Sequence, residues 1–179
     1  STFKDLGDEP YQIHSKFPEV SVAVNADRRD GISQLEKEVQ PDIILLDDAF
    51  QHRKVKADFN ILLTTYGDLY VDDWYLPSGN LRDSKSQANR ADYIIVTKCP
   101  ADISIDERQR IKEKLGLEKG QEILFSYLKY DQELNPHTNN MSLNSLKNNR
   151  FTLVTGIANP KPLVQYLTDK NLSFEHLAF

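Results

Sequence analysis

Residues 42–58 read DIILLDDAFQHRKVKAD: a continuous apolar run, Ile43–Leu46, meets two adjacent aspartates, Asp47 and Asp48, with His52 four positions on. An unbroken apolar run of this length predicts a parallel strand covered on both faces. Carboxylates at the end of such a strand are costly to desolvate unless a cation, a donor or a proton compensates. In open parallel sheets, ligands bind beyond the carboxyl ends of the strands. An apolar strand closing on aspartate also has the form of a Walker-B strand, whose carboxylate holds Mg²⁺ directly or through water. The same residues equally suit an acidic turn or a helix cap, with His52 as a surface hydrogen-bonding group.

Outward from this stretch, strands and helices alternate. VSVAV (20–24) reads as a short strand, and GISQLEKEVQ (31–40) as an amphipathic helix. FNILLTT (59–65) and DYIIVTK (92–98) are two further apolar strands, separated by a long turn-rich segment containing Pro77 and Gly79. Connections that long inside a compact domain are lids or binding loops. A helix through DERQRIKEKL follows, capped by Ser104 or Asp106. Such strand–helix units imply an α/β fold with a mostly parallel sheet.

Beyond residue 120 the pattern changes. EILFSYLKY (122–130) and RFTLVTGI (150–157) are strand-like and flank DQELNPHTNNMSLNSLKNN, whose Asn and Ser content reads as a loop. The expected division is a core at 1–120, a strand–loop–strand linker at 121–150 and a small α/β lobe at 151–179. That lobe would hold a strand, a turn at GIANP, a helix around KPLVQYLTDK entered through Pro160 and Pro162, and a strand in NLSFEHLAF.

Composition narrows the function. A 39% hydrophobic and 27% charged chain of 179 residues predicts a soluble globular protein with one substantial core, or one core plus a small lobe. No apolar run approaches the roughly 18 residues that a membrane span needs. STFKDLGDEP lacks the layout of a signal peptide, and the apolar LAF at the end reads as a cut. The lone Cys99 allows no internal disulfide. With 22 basic and 27 acidic residues the net charge is −5, which argues against nucleic acid as a partner.

Other polar groups fall near the expected strand ends. GDEP (7–10) reads as a turn presenting Asp8 and Glu9, and DRR (27–29) offers Arg28 and Arg29 after the first strand. LPSGNLRDS (76–84) puts Arg82 and Asp83 on the long loop, where a planar guanidinium suits phosphate. Taken alone, each arginine reads first as a solvated surface residue. G-x-x-x-x-G-K-[ST] occurs nowhere in the sequence, so there is no Walker A, and neither zinc-ligand spacing nor G-x-S-x-G is found.

Taken together, these segments resemble the tetraacyldisaccharide 4'-kinase family, the lipid A 4'-kinases of Gram-negative bacteria. The family's hallmark D-D-G-[FL]-Q-H stands here as DDAFQH, with Ala49 where glycine is usual. GDEP, LPSGNLRDS, RADYIIVTK, TGIANP and EHLAF occur around it in the family's order, so the resemblance runs along the whole chain.

The resemblance implies a P-loop NTPase type of sheet, here incomplete, and transfer of the ATP γ-phosphoryl group to the 4'-hydroxyl of a lipid disaccharide. It also implies peripheral contact with the cytoplasmic face of the bacterial inner membrane. Asp8 would partner a histidine in deprotonating the acceptor hydroxyl. Glu9, Asp47 and Asp48 would bind or orient Mg²⁺, with Asp48 as the preferred contact. Arg28, in NADR where the family has GRDR, would face phosphates. Asp83 stands for the family's lid glutamate, one methylene shorter, and His52 would position rather than accept a proton. The family's Walker A lies upstream of STFKDLGDEP and its F-P-D-H-H histidine follows EHLAF, so the chain is expected to be an inactive central fragment. Two competing readings are a Mg²⁺-dependent phosphohydrolase and a non-catalytic ligand-binding module.

Overall fold

The computed structural model describes residues 7–134 and 141–179. The chain divides into two compact units, Ser1–Tyr127 and Leu128–Phe179.

In the first unit the apolar runs at 59–65 and 92–98 become β1 (Ile61–Thr65) and β2 (Tyr93–Thr97), and EILF becomes β3 (Glu122–Phe125). They form a parallel sheet in the order β1-β2-β3, with Ile94 beside Leu62 and Ile123, and Val96 beside Thr64 and Phe125. Side chains alternate across a strand, so Ile94 and Val96 share one face; they are 1% and 0% exposed. The helix α3 (Ile105–Leu115) brings Ile111 and Leu115, one turn apart, into the same core. Burying each such aliphatic side chain is worth about 1.5–3 kcal/mol. The ends of α3 are locally specified. The Ser104 hydroxyl accepts from the Glu107 amide at 3.2 Å, and Gly116 ends the helix in the left-handed region at φ 60°.

Three expectations need correction here. VSVAV and DIILL are not strands; Ile43 and Leu45 are 76% and 90% exposed. A strand apolar on both faces is stable only when paired and covered, and no described strand pairs with either run. GDEP is not a turn: Gly7, at φ 84°, precedes the helix α1 (Asp8–Lys16), which places Asp8 and Glu9 in its first turn. Carboxylates there complement the positive end of the helix dipole, and Pro10 is tolerated because its missing N–H would be unpaired anyway. The next helix, α2 (Arg28–Glu38), starts three residues before the expected span because Asp27 caps it, accepting from the Arg29 amide at 3.0 Å.

In the second unit β4 (Glu133–Leu134) and β5 (Met141–Ser142) pair antiparallel, so part of the expected Asn-rich loop is paired strand. Residues 135–140 of that loop lie outside the described residues. β6 (Phe151–Thr155), α4 (Lys161–Asp169) and β7 (Phe174–Ala178) follow as expected, with the two strands parallel. Leu143, Leu167 and Leu172 form their core. No helix of the described residues is long and apolar enough to cross a membrane.

Candidate active site

The DDAFQH segment forms an ordered surface turn that leads towards β1. Asp48 takes a left-handed conformation at φ 45°, a region that aspartate tolerates better than most residues. Ala49, by contrast, has no positive φ and carries no left-handed strain. The His52 amide closes the turn on the Ala49 carbonyl at 2.8 Å.

Arginines from separate parts of the chain hold this turn. Arg28, the first residue of α2, has Nη1 2.8 Å from His52 Nε2, and its Nη2 donates to the Asp48 carbonyl at 3.4 Å. A guanidinium only donates, so Nε2 accepts and the ring proton belongs on Nδ1. Arg90, in the short 3₁₀ helix Lys85–Arg90, donates to the Phe50 carbonyl at 2.6 Å and lies over the Phe50 ring, 4.7 Å from its centroid. Arg53 donates to both carboxylate oxygens of Asp83, at 2.8 and 3.1 Å, tying the long loop to the turn. That bond, then the Ser84 amide, holds the Asp83 carboxyl below the usual carboxylate range.

The structure therefore brings together Arg28, His52 and the Asp48 backbone, and couples Asp83 to Arg53. It does not gather the rest. Asp8 and Glu9 are exposed on α1, which buries no residue. Arg82 is exposed beside Asp83 and bonds to no described residue. The carboxylates of Asp47 and Asp48 are exposed and make no ion pair with a described residue. Arg53 and Arg90 were not singled out from the sequence; their only local signal was the place of Arg53 directly after His52 and of Arg90 at the head of RADYIIVTK. A cleft of about 350 Å³ beside α3, lined by Tyr66, Asp72, Glu107, Arg110 and Lys114, contains none of the candidate residues. Its charges pair internally, Lys114 with Asp72 at 2.7 Å and Arg110 with Glu107 at 3.2 Å.

The sequence model described as tetraacyldisaccharide-1-P 4'-kinase matches residues 1–179. The chain belongs to this family. A tetraacyldisaccharide 4'-kinase of Flavobacterium johnsoniae is 52% identical over 167 residues, covering 93% of this chain and 49% of that protein. One of Bacteroides thetaiotaomicron is 42% identical over 191 residues, covering 100% of this chain and 50% of the relative. One of Porphyromonas gingivalis is 42% identical over 164 residues, covering 90% and 46%. The chain thus spans about half the length of the curated relatives it matches. No solved structure matches.

A kinase family implies ATP and a divalent metal, which makes the donor set worth testing. Among the described residues no three His, Cys, Asp or Glu side chains converge to hold a metal ion, so Glu9, Asp47 and Asp48 form no joint cage. Mg²⁺ on a nucleotide needs less: one or two carboxylates, completed by phosphate oxygens and water. The adjacent, uncommitted Asp47 and Asp48 fit that smaller role in donor chemistry.

Proposed function

We propose that the chain is part of an ATP-dependent kinase that phosphorylates the 4'-hydroxyl of a tetraacylated glucosamine disaccharide in lipid A biosynthesis, working peripherally at the cytoplasmic face of the inner membrane. The match to the family along residues 1–179 carries this reading. The parallel sheet is compatible with a P-loop NTPase fold, the finer class proposed for the whole protein.

Phosphoryl transfer depends on positioning and on neutralising charge. Mg²⁺, when bound, would offset the charge of the nucleotide phosphates. Asp48, with Asp47 beside it and Glu9 as a further candidate, would hold that ion. Asp8, exposed on the first turn of α1, is free to orient a histidine base against the acceptor hydroxyl, whose high pKa calls for such help. Arg28 would face phosphate while its bond to His52 fixes both groups, leaving His52 a positioning residue. Arg82, exposed on the long loop, is the second phosphate-binding candidate. Asp83, committed to Arg53, would hold that loop in place rather than touch the phosphates.

The test is phosphoryl transfer by the longer gene product with Asp8→Asn. Turnover should fall at least about 100-fold, as loss of a general-base contribution does, while ATP binding stays nearly intact. Preserved turnover in Asp8→Asn would remove the base assignment. Hydrolysis of small phosphate esters by the 179-residue chain alone would favour the phosphohydrolase reading, and substrate binding without turnover in the longer product would favour a binding module.

A further inference from the structure

Asp47 and Asp48 follow an apolar run that pairs with no described strand, yet the turn that carries them is held in place. Three successive carbonyls of the turn are engaged. Asp48 accepts from Arg28 at 3.4 Å, Ala49 from the His52 amide at 2.8 Å, and Phe50 from Arg90 at 2.6 Å. Water would satisfy carbonyls on an exposed turn, so what the guanidiniums add is a fixed position. They hold the turn by its backbone and leave both carboxylates free.

Arg90 is itself anchored to the sheet. It ends the 3₁₀ helix Lys85–Arg90, and the Ala91 amide closes the last turn on the Ala88 carbonyl at 3.0 Å. Gln121, directly before β3, donates to the Ala88 and Ala91 carbonyls at 2.9 and 2.6 Å. Asp92, directly before β2, accepts through its carboxylate from the Asn60 amide at 2.7 Å and donates to the Asn60 carbonyl at 2.9 Å. Asn60 directly precedes β1, so the Arg90 side chain starts from backbone locked to the amino ends of all three strands. It both donates to the Phe50 carbonyl and lies over the Phe50 ring. A planar guanidinium can stack and donate in a fixed direction at once, which a lysine ammonium reproduces poorly. Earlier in the same segment Asp83 accepts both bonds from Arg53, so residues 83–90 grip residues 50–53 at two points. Both arginines are exposed, and contacts of this kind add little stability.

We infer that Arg90 and Arg53 are positioning residues, a two-point clamp that fixes the acidic turn to the sheet and so presents the free carboxylates of Asp47 and Asp48 to the divalent metal of a nucleotide. The inference rests on the kinase reading above for the identity of that ligand. It adds two residues that act through the turn rather than by touching metal or phosphate.

The probe is Mn²⁺·ATP with the longer gene product, the bound ion being read by electron paramagnetic resonance, which needs no phosphoryl transfer. Arg90→Ala should weaken Mn²⁺·ATP binding at least about tenfold, as loss of a group that orients a metal ligand does, and Arg53→Ala should weaken it several-fold. Binding of ATP without metal should stay unchanged in both; a parallel loss would mean general damage and overturn the inference. Arg90→Lys should fail to restore binding, and full recovery would assign Arg90 to charge attraction and overturn it too. Arg110→Ala, which breaks an exposed ion pair on α3, should leave binding unchanged, and an equal loss there would count the same way. In the 179-residue chain, hydrogen exchange of the His52 amide should speed up several-fold in Arg90→Ala while the β2 amides stay protected. Unaltered exchange at His52 would show that Arg90 does not hold the turn, and would end the inference. If the variants lose Mn²⁺·ATP binding as expected but the parent transfers no phosphoryl group to the lipid disaccharide, the proposed function fails and this inference stands. Transfer by a parent whose Mn²⁺·ATP binding is indifferent to Arg90 and Arg53 would do the opposite, and a parent that binds no Mn²⁺·ATP would sink both.

Discussion

Arg28 and His52 lie 24 residues apart and meet at 2.8 Å, a contact between two side chains that the sequence marked separately and could not pair. Its chemistry makes a sharp statement, because Nε2 must accept. In ¹⁵N-resolved NMR at a pH where the ring is neutral, His52 should carry its proton on Nδ1, and Arg28→Ala should shift the ring towards the Nε2–H form. An Nε2–H tautomer in the unmodified chain would mean that the pair does not form in solution. Asp27 allows a second prediction. The side-chain bond from Arg29, then its amide, lowers the Asp27 pKa to about 2, below an unfolded value near 3.9. The folded state therefore binds this proton less readily than the unfolded state. The resulting stability is complete above about pH 4 and is lost as the pH falls through 2. Comparing urea midpoints at pH 5 and pH 2 should show a smaller acid-dependent loss for Asp27→Asn, which keeps a capping oxygen but cannot ionise; an equal loss would remove Asp27 as a contributor. Local sequence does not mark Arg53 or Arg90, because their partners, Asp83 and the Phe50 carbonyl, are 30 and 40 residues away.

At the level of elements, what could be read from the sequence follows from how local the determinants are. Helix α3 was legible because its signals sit within its own span, from the Ser104 cap to Gly116 at φ 60°. Both ends can be tested by denaturant unfolding. Ser104→Ala should cost about 1 kcal/mol through the lost cap, and Gly116→Ala about 1 kcal/mol through the strain of placing a Cβ in the left-handed region. If both changes were neutral, the helix would be held by Ile111 and Leu115 alone. β1 and β2 were legible because their apolar runs also find each other, in register from Ile61 with Tyr93 to Thr65 with Thr97. VSVAV and DIILL carry equally strong patterns but lack a described partner strand, and a pattern without a partner does not make a strand. GDEP is ambiguous as four letters because Gly and Pro mark helix starts as well as turns; the positive φ of Gly7, which selects between them here, is a property of the fold.

Across the whole molecule, apolar surface is buried on one face of the first unit's sheet and left open on the other. Ile94 and Val96 lie beneath α3, whereas Ile61, Leu63 and Leu124 are 48%, 63% and 48% exposed, and Leu45 is 90% exposed. The chain covers about half of each relative. On the proposed reading, the full-length protein has further elements with which DIILL would pair as the strand its sequence describes. The two situations make opposite demands on one residue. In the 179-residue chain, Leu45→Asp should leave the thermal midpoint unchanged and reduce binding of the dye ANS, because the side chain already faces water. Ile94→Ala should lower stability by about 2–5 kcal/mol, as truncation in a packed core does. In the longer gene product Leu45→Asp should itself become strongly destabilising, since it would bury an unpaired carboxylate. If Leu45→Asp lowered the midpoint of the short chain as well, the 42–46 run would be buried in solution already, and the Asp47–Asp48 turn would stand at the end of a formed strand without any further segment to complete it.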